Sequence, residues 1–139
     1  MNVPADPIVP ADAEHAPARR AAPTPRPTAR RWIPIRSLAE RHRPRILAHL
    51  LALPPQDRYL RFGYAASDAQ IARYADLIDF THDEVFGVFN RRLELIAQAH
   101  LAGLPNASEA EFGVSVLPKA RGRGYGARLF DHAVLHARN

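Results

Sequence analysis

The stretch Arg121-Gly122-Arg123-Gly124-Tyr125-Gly126 lies between a strand-like run and a helix-like run, and it constrains this chain more than any other segment. Upstream, residues 111–117 (EFGVSVL) are short, apolar and rich in β-branched side chains, which favours a strand. Downstream, Leu129, Phe130, Ala133, Val134 and Ala137 recur at helical spacing, so 124–138 reads as an amphipathic helix. A glycine-rich turn from strand to helix leaves several backbone N–H groups without a partner in the chain. Those donors, together with the positive end of the helix dipole, suit a phosphate or pyrophosphate. A plain helix-capping turn with a solvated arginine pair is the simpler alternative.

Three phosphate-binding patterns compete for these residues. A Walker loop needs Gly-Lys-Ser/Thr at its end, whereas Gly126 is followed by Ala127 and Arg128. A dinucleotide fingerprint can be laid over Gly122, Gly124 and Ala127. It requires a second parallel strand and an acidic residue about 20 positions further on, past Asn139. The third pattern, Arg/Gln-x-x-Gly-x-Gly/Ala, is matched by Arg121, Gly124 and Gly126. With Val114-Ser115-Val116-Leu117-Pro118 before it, the segment resembles the acetyl-CoA-binding motif of the GNAT family of N-acetyltransferases.

The resemblance implies an α/β fold, the acyl-CoA N-acyltransferase (GNAT)-like mixed sheet flanked by helices, here lacking the usual C-terminal strands. It implies acetyl-CoA as acetyl donor and an amine acceptor, either a small molecule or a protein lysine. In that family the strand before the turn carries a bulge and its backbone pairs with the pantetheine arm, which assigns Val114 and Val116 to the cofactor. The amides of Arg121, Gly122, Arg123, Gly124, Tyr125 and Gly126 would wrap the pyrophosphate. Gly124 and Gly126 fit because a Cβ would hold the backbone away from the phosphate oxygens. Tyr125 itself reads as a packing residue.

Composition sets the remaining bounds. Residues 1–31 hold seven of the 13 prolines and almost no large apolar side chain, so a disordered tail is expected there, followed by one domain over 32–139. The tail lacks the continuous apolar core of a signal peptide, and its acids and prolines argue against an organelle presequence. No 18-residue apolar run exists, so neither a membrane span nor a membrane partner is expected, and the cytoplasm is the expected location. The chain has no cysteine, which excludes disulfides, thiolate catalysis and an acetyl-cysteine intermediate. Residues 32–139 carry 14 Lys/Arg against 11 Asp/Glu. That mildly basic balance suits a polyanionic cofactor and is too diffuse for nucleic-acid binding.

Along the domain, 32–36 reads as an edge strand and 44–53 as a helix with Ile46, Leu47, Leu50 and Leu51 on one face, stopped by Pro54-Pro55. Residues 58–63 read as a basic, aromatic connector whose Tyr59, Leu60 and Phe62 plug the core while its arginines face water. A similar Leu-Arg-Phe segment occurs in acetyltransferases resembling the bacterial protein-lysine acetylating enzymes. Ser67 and Gln70 have the spacing of a capping box opening a helix with Ile71, Tyr74, Ala75 and Ile78 inward. Residues 85–89 and 93–101 read as a hairpin around Asn90-Arg91-Arg92, and 103–108 as a second break.

Acetyl transfer needs a base for the amine, and Glu111 is the candidate, because Ala110-Glu111-Phe112 resembles the segment whose glutamate is the base in lysine-acetylating relatives. Strand alternation places Glu111 opposite Ala110, Phe112 and Val114. A solvated carboxylate at a strand start stays open beside that assignment. No general acid can be assigned. His132 and His136 have zinc-compatible i, i+4 spacing but no evident third ligand, so no metal is expected. The strands and the helix that follow the motif in the family are expected to be missing. The expected alternatives are an N-acetyltransferase fragment, a non-catalytic CoA-binding or degenerate acetyltransferase-like module acting as sensor or interaction partner, and a homodimer in which a second copy supplies the strands.

Overall fold

The computed structural model describes residues 34–103 and 110–137. The expected tail, the start of the first strand at Trp32 and Ile33, and most of the break at 103–108 lie outside them. The elements run β1 (Arg36–Ser37), a 3-10 turn (Glu40–His42), α1 (Arg43–Leu51), α2 (Pro55–Phe62), α3 (Asp68–Asp76), β2 (Glu84–Phe89), β3 (Leu95–Gly103), β4 (Ala110–Val116), a second 3-10 turn (Pro118–Ala120) and α4 (Tyr125–Ala137). One sheet of order β1-β2-β3-β4 results. It was expected to be mixed, but every pairing among the described residues is antiparallel. β2, β3 and β4 follow one another directly, and short connections join antiparallel neighbours.

Helices cover both faces. His49 of α1, Arg61 of α2 and Tyr74 of α3 reach one face, whereas Phe112 and Phe86 meet Phe130, His132 and His136 of α4 on the other. Covering both faces buries β2 from Val85 to Val88 and β3 from Leu95 to His100 without a break, so β2 reads as a continuous apolar run, and β3 as one interrupted by Gln98 and His100. The core centres on Ile46, Leu50, Ile71, Val85, Phe86, Val88 and Leu129, each almost fully buried. On α4 the buried set is Tyr125, Leu129 and Ala133, a narrower stripe than expected, with Phe130 and Val134 on its exposed flank.

Three local expectations are met in detail. Ser67 Oγ accepts from Gln70 N (3.1 Å) while Gln70 Oε1 accepts from Ser67 N (2.9 Å), closing the capping box of α3. Asn90 Oδ1 accepts from the amides of Arg92 and Glu94 (both 2.9 Å), which builds the hairpin turn. Pro44 sits in the first turn of α1. β3 begins at Leu95 rather than Leu93, because Leu93 has φ +63° and belongs to the turn.

The connector expected at 58–63 is instead the helix α2. Pro55 occupies its first turn, where a missing N–H costs nothing, and Gly63 ends it at φ +84° with its N–H on Tyr59 O (2.8 Å). Tyr59 and Leu60 are exposed rather than plugging the core. Its arginines turn inward. Arg58 donates to the carbonyls of Leu51 (2.8 Å), Leu53 (3.0 Å) and Ala66 (3.0 Å), satisfying the free end of α1.

Candidate functional site

β4 is the edge of the sheet among the described residues, and its pairing phase decides what that edge offers. Leu117 N donates to Ile96 O (2.9 Å), and Ala97 opposes Val116. In an antiparallel ladder this phase turns the amides and carbonyls of Ser115 and Gly113 inward toward β3. Those of Val114 and Val116 point outward along the free edge. The bulge implied by the resemblance is absent, since β4 keeps one unbroken register from Gly103↔Ala110 to Ala97↔Val116.

At the far end of β4, Arg121 N is taken up by Pro118 O (3.3 Å), and the first helical bond runs from Arg128 N to Gly124 O (3.1 Å). Among the described residues, no backbone carbonyl accepts from the amides of Gly122, Arg123, Gly124, Tyr125, Gly126 or Ala127. Gly122 and Gly124 have φ +79° and +80°, a conformation that suits glycine, so their role is to turn successive amides the same way. Gly126 has no such demand: a Cβ there would meet only Val116 Cγ2, at 3.9 Å. The Tyr125 side chain is buried at the start of α4. The Arg121 guanidinium pairs with Asp57 of α2, so its charge is already engaged. Arg123 faces a cavity of about 460 Å³ that it shares with Arg91, Arg92 and Lys119.

Two further cavities flank β4. One, of about 370 Å³, is lined by Leu53, Asp57, Leu60, Arg61 and Arg121 with Val114, Ser115 and Val116. The other, of about 510 Å³, is lined by Arg61, Phe62, Tyr74, His100, Ala102, Phe112 and Gly113 with Glu111. Glu111 is exposed and sits on the strand face that also carries Gly113 and Ser115, as alternation requires.

A polar seam that no local pattern announced runs under the helices here. Arg61 Nη2 donates to Tyr74 Oη (2.7 Å), the Tyr74 hydroxyl bonds His100 Nδ1, and His100 Nε2 meets Asp83 Oδ2 (2.9 Å). The carboxylate can only accept, so Nε2 carries the proton and Nδ1 accepts from the tyrosine, which gives the chain one direction. Burial raises the Tyr74 pKa above the ordinary tyrosine value, against the charge and hydrogen bond of Arg61. Farther along, His49 Nδ1 donates to Leu95 O (2.8 Å), and Nε2 accepts from Ser115 Oγ (2.8 Å).

Burial pushes the His49 pKa down to about 4; the bond to Leu95 opposes this and the charge of Arg61 adds to it. An unfolded chain takes up this proton near pH 6.5 and the folded one does not, so stability present above pH 6.5 is lost as pH falls toward 4. The loss expected from this group is about 3 kcal/mol. Urea unfolding of wild type and His49→Gln at pH 7 and pH 4.5 measures it. Wild type should lose more stability than the variant, and parallel losses would reject the assignment.

His132 and His136 pack edge-on against Phe86, with His136 Nε2 3.5 Å from Glu84. Among the described residues no group of three or more His, Cys, Asp or Glu side chains is placed to hold a metal. No described helix is long and apolar enough to cross a membrane.

The sequence matches no protein-family model and no curated protein. Solved structures do resemble it. The GNAT domain of S. lividans PAT superposes with a TM-score of 0.59 at 22% identity, over 75% of this chain and 64% of that one. The chain has the GNAT fold. An acetyltransferase of the GNAT family from Staphylococcus aureus Mu50 gives 0.58 at 13% identity, over 77% and 67% of the two chains. The histone acetyltransferase HPA2 and related acetyltransferase from Corynebacterium glutamicum gives 0.56 at 16%, over 76% and 71%. This chain thus spans less than two thirds of the S. lividans domain's length. Within that fold, β4 and α2 are the elements common to both cavities that flank β4.

Proposed function

We infer that this chain binds acetyl-CoA along the outer edge of β4 and transfers its acetyl group to an amine held beside Glu111. The observation that carries this is the run of untaken amides from Gly122 to Ala127, opening onto the edge where Val114 and Val116 present free backbone groups. A pyrophosphate fits those amides, with Arg123 and the neighbouring basic cavity beside it. An extended arm bearing two amides fits the β4 edge as an added strand would. The cytoplasm, where acetyl-CoA is available, is the proposed location.

The second cavity receives the acceptor. Glu111 takes a proton from the ammonium, the freed amine attacks the thioester carbonyl, the N–C bond forms and the C–S bond breaks. The sulfur leaves with the bonding pair as CoA thiolate and takes up the second proton, shed by the newly acylated nitrogen. The acceptor is an amine small enough, or on a protein segment narrow enough, to enter a space of about 510 Å³.

Calorimetric titration with acetyl-CoA tests the reading, and absence of saturable binding would sink it. Gly124→Val is expected to weaken binding by at least ~10-fold, because a β-branched residue at φ +80° costs on the order of 1–3 kcal/mol and swings the neighbouring amides out of line. Unchanged affinity would show that the turn does not hold the phosphates. Binding without turnover of any amine would leave the second reading, a CoA-binding module.

A further inference from the structure

We propose that Arg61 donates a hydrogen bond to the acetyl carbonyl oxygen during transfer, a task the backbone of β4 cannot complete alone. The inference rests on the acetyl-CoA reading above. An oxyanion is commonly held by two convergent donors. The unbroken register of β4 turns only every second amide outward, and Gly113 is bonded inward to β3. A bulge would have brought two adjacent amides together, and none is present. Val114 N–H is therefore left as a lone donor at that point of the edge.

Arg61 is placed to be the second. It is half-buried on α2 and lines both cavities, so it stands where cofactor arm and acceptor would meet. Its guanidinium lies directly over Gly113, where a Cβ would overlap Cζ, Nη1 and Nε. Measured from Val116, an arm laid along the edge reaches Gly113 after three residues, ~10 Å at ~3.3 Å each. The guanidinium is also held in orientation. Nη2 is bonded to Tyr74, itself fixed by His100 and Asp83, and the rings of Phe62 and Tyr74 lie 4.8 and 5.3 Å from Cζ. Its Nε is buried and has no hydrogen-bond partner among the described residues. A buried N–H left unpaired is costly and calls for a partner that the described residues do not supply.

The electron bookkeeping is short. As the amine nitrogen bonds to the carbonyl carbon, the C=O π pair moves to oxygen, where the Arg61 N–H and positive charge meet it. The pair then returns as the C–S bond breaks and sulfur departs as thiolate; Glu111 has taken one ammonium proton, and the thiolate takes the second from the acylated nitrogen. Arg61 keeps its own protons throughout.

The test is isotope-edited infrared difference spectroscopy of acetyl-CoA labelled with ¹³C at the carbonyl, on the full chain, with calorimetry beside it. Wild type should shift the thioester carbonyl band to lower wavenumber on binding. Arg61→Met should abolish most of that shift while acetyl-CoA affinity changes little, and kcat should fall by roughly 10²–10³-fold. Gly113→Ala provides a second variant that keeps the arginine and pushes its flexible end aside, with the same spectral loss and a thermal midpoint near wild type. A carbonyl band equally shifted in wild type and in either folded variant overturns the proposal while leaving acetyl-CoA binding intact. Failure of all forms to bind acetyl-CoA overturns the functional reading itself, and this inference with it.

Discussion

Replacing Glu111 by glutamine is expected to slow acetyl transfer by on the order of 10²–10⁴-fold, the range spanned by a positioned general base, and to leave acetyl-CoA affinity nearly unchanged. Glu111 is the carboxylate in the lining of the acceptor cavity, on the same face of β4 as Gly113 and two positions from it. Glutamine keeps the shape and a hydrogen-bonding oxygen but cannot take a proton at any accessible pH. Initial rates with acetyl-CoA and a primary amine, measured across pH, decide the matter. Equal rates for both proteins would mean that the ammonium proton leaves by another route. The hydroxyl of Tyr74, which lines the same cavity and leads through His100 to Asp83, would then be the first alternative.

The largest stability effect is expected from Phe86→Ala. Phe86 is fully buried in the middle of β2, opposite Ala99, with His132 and His136 edge-on at 4.7 and 5.1 Å. Ala99 is too small to fill the gap, and the imidazoles on α4 would be left facing a void. A loss of about 3–5 kcal/mol follows for an aromatic removed from such a site. Against a typical total of about 5–15 kcal/mol, that threatens the fold itself. Urea unfolding monitored by circular dichroism measures it, and a loss below about 1 kcal/mol would show that α4 settles onto the sheet. Such settling would also displace the glycine turn, so acetyl-CoA affinity is a second gauge of the same contact.

What the sequence made legible was whatever local chemistry punctuates. Glycines mark the turn before α4, Ser67 and Gln70 mark the start of α3, and Asn90 marks the hairpin. Proline punctuates in both senses, and here that hides a helix: Pro54-Pro55 ends α1 but also begins α2, since a first helical turn tolerates proline. Reading 58–63 as a connector then sent its apolar residues inward and its arginines outward, the reverse of what a helix tied down by Arg58 and Arg61 does. The site was legible only along β4 and the turn. Its other half is made by contacts between distant positions: Arg61 with Gly113, Tyr74 with His100, His49 with Ser115. No periodicity encodes such pairs. One cue was nevertheless present, because a lone glycine inside a strand pattern signals that something approaches its backbone closely. Gly113 is that glycine, and the Arg61 guanidinium is what approaches.

β4 has a side-chain period of two: Glu111, Gly113 and Ser115 share the face toward α1 and α2, while Phe112 leans on Phe130 of α4. Chemistry on this strand therefore obeys parity. Inserting one residue between Glu111 and Gly113 would swing the carboxylate across the sheet to the α4 side, with its charge unchanged and its usefulness gone. Inserting two would bring it back to the correct side, one pleat farther from the arginine.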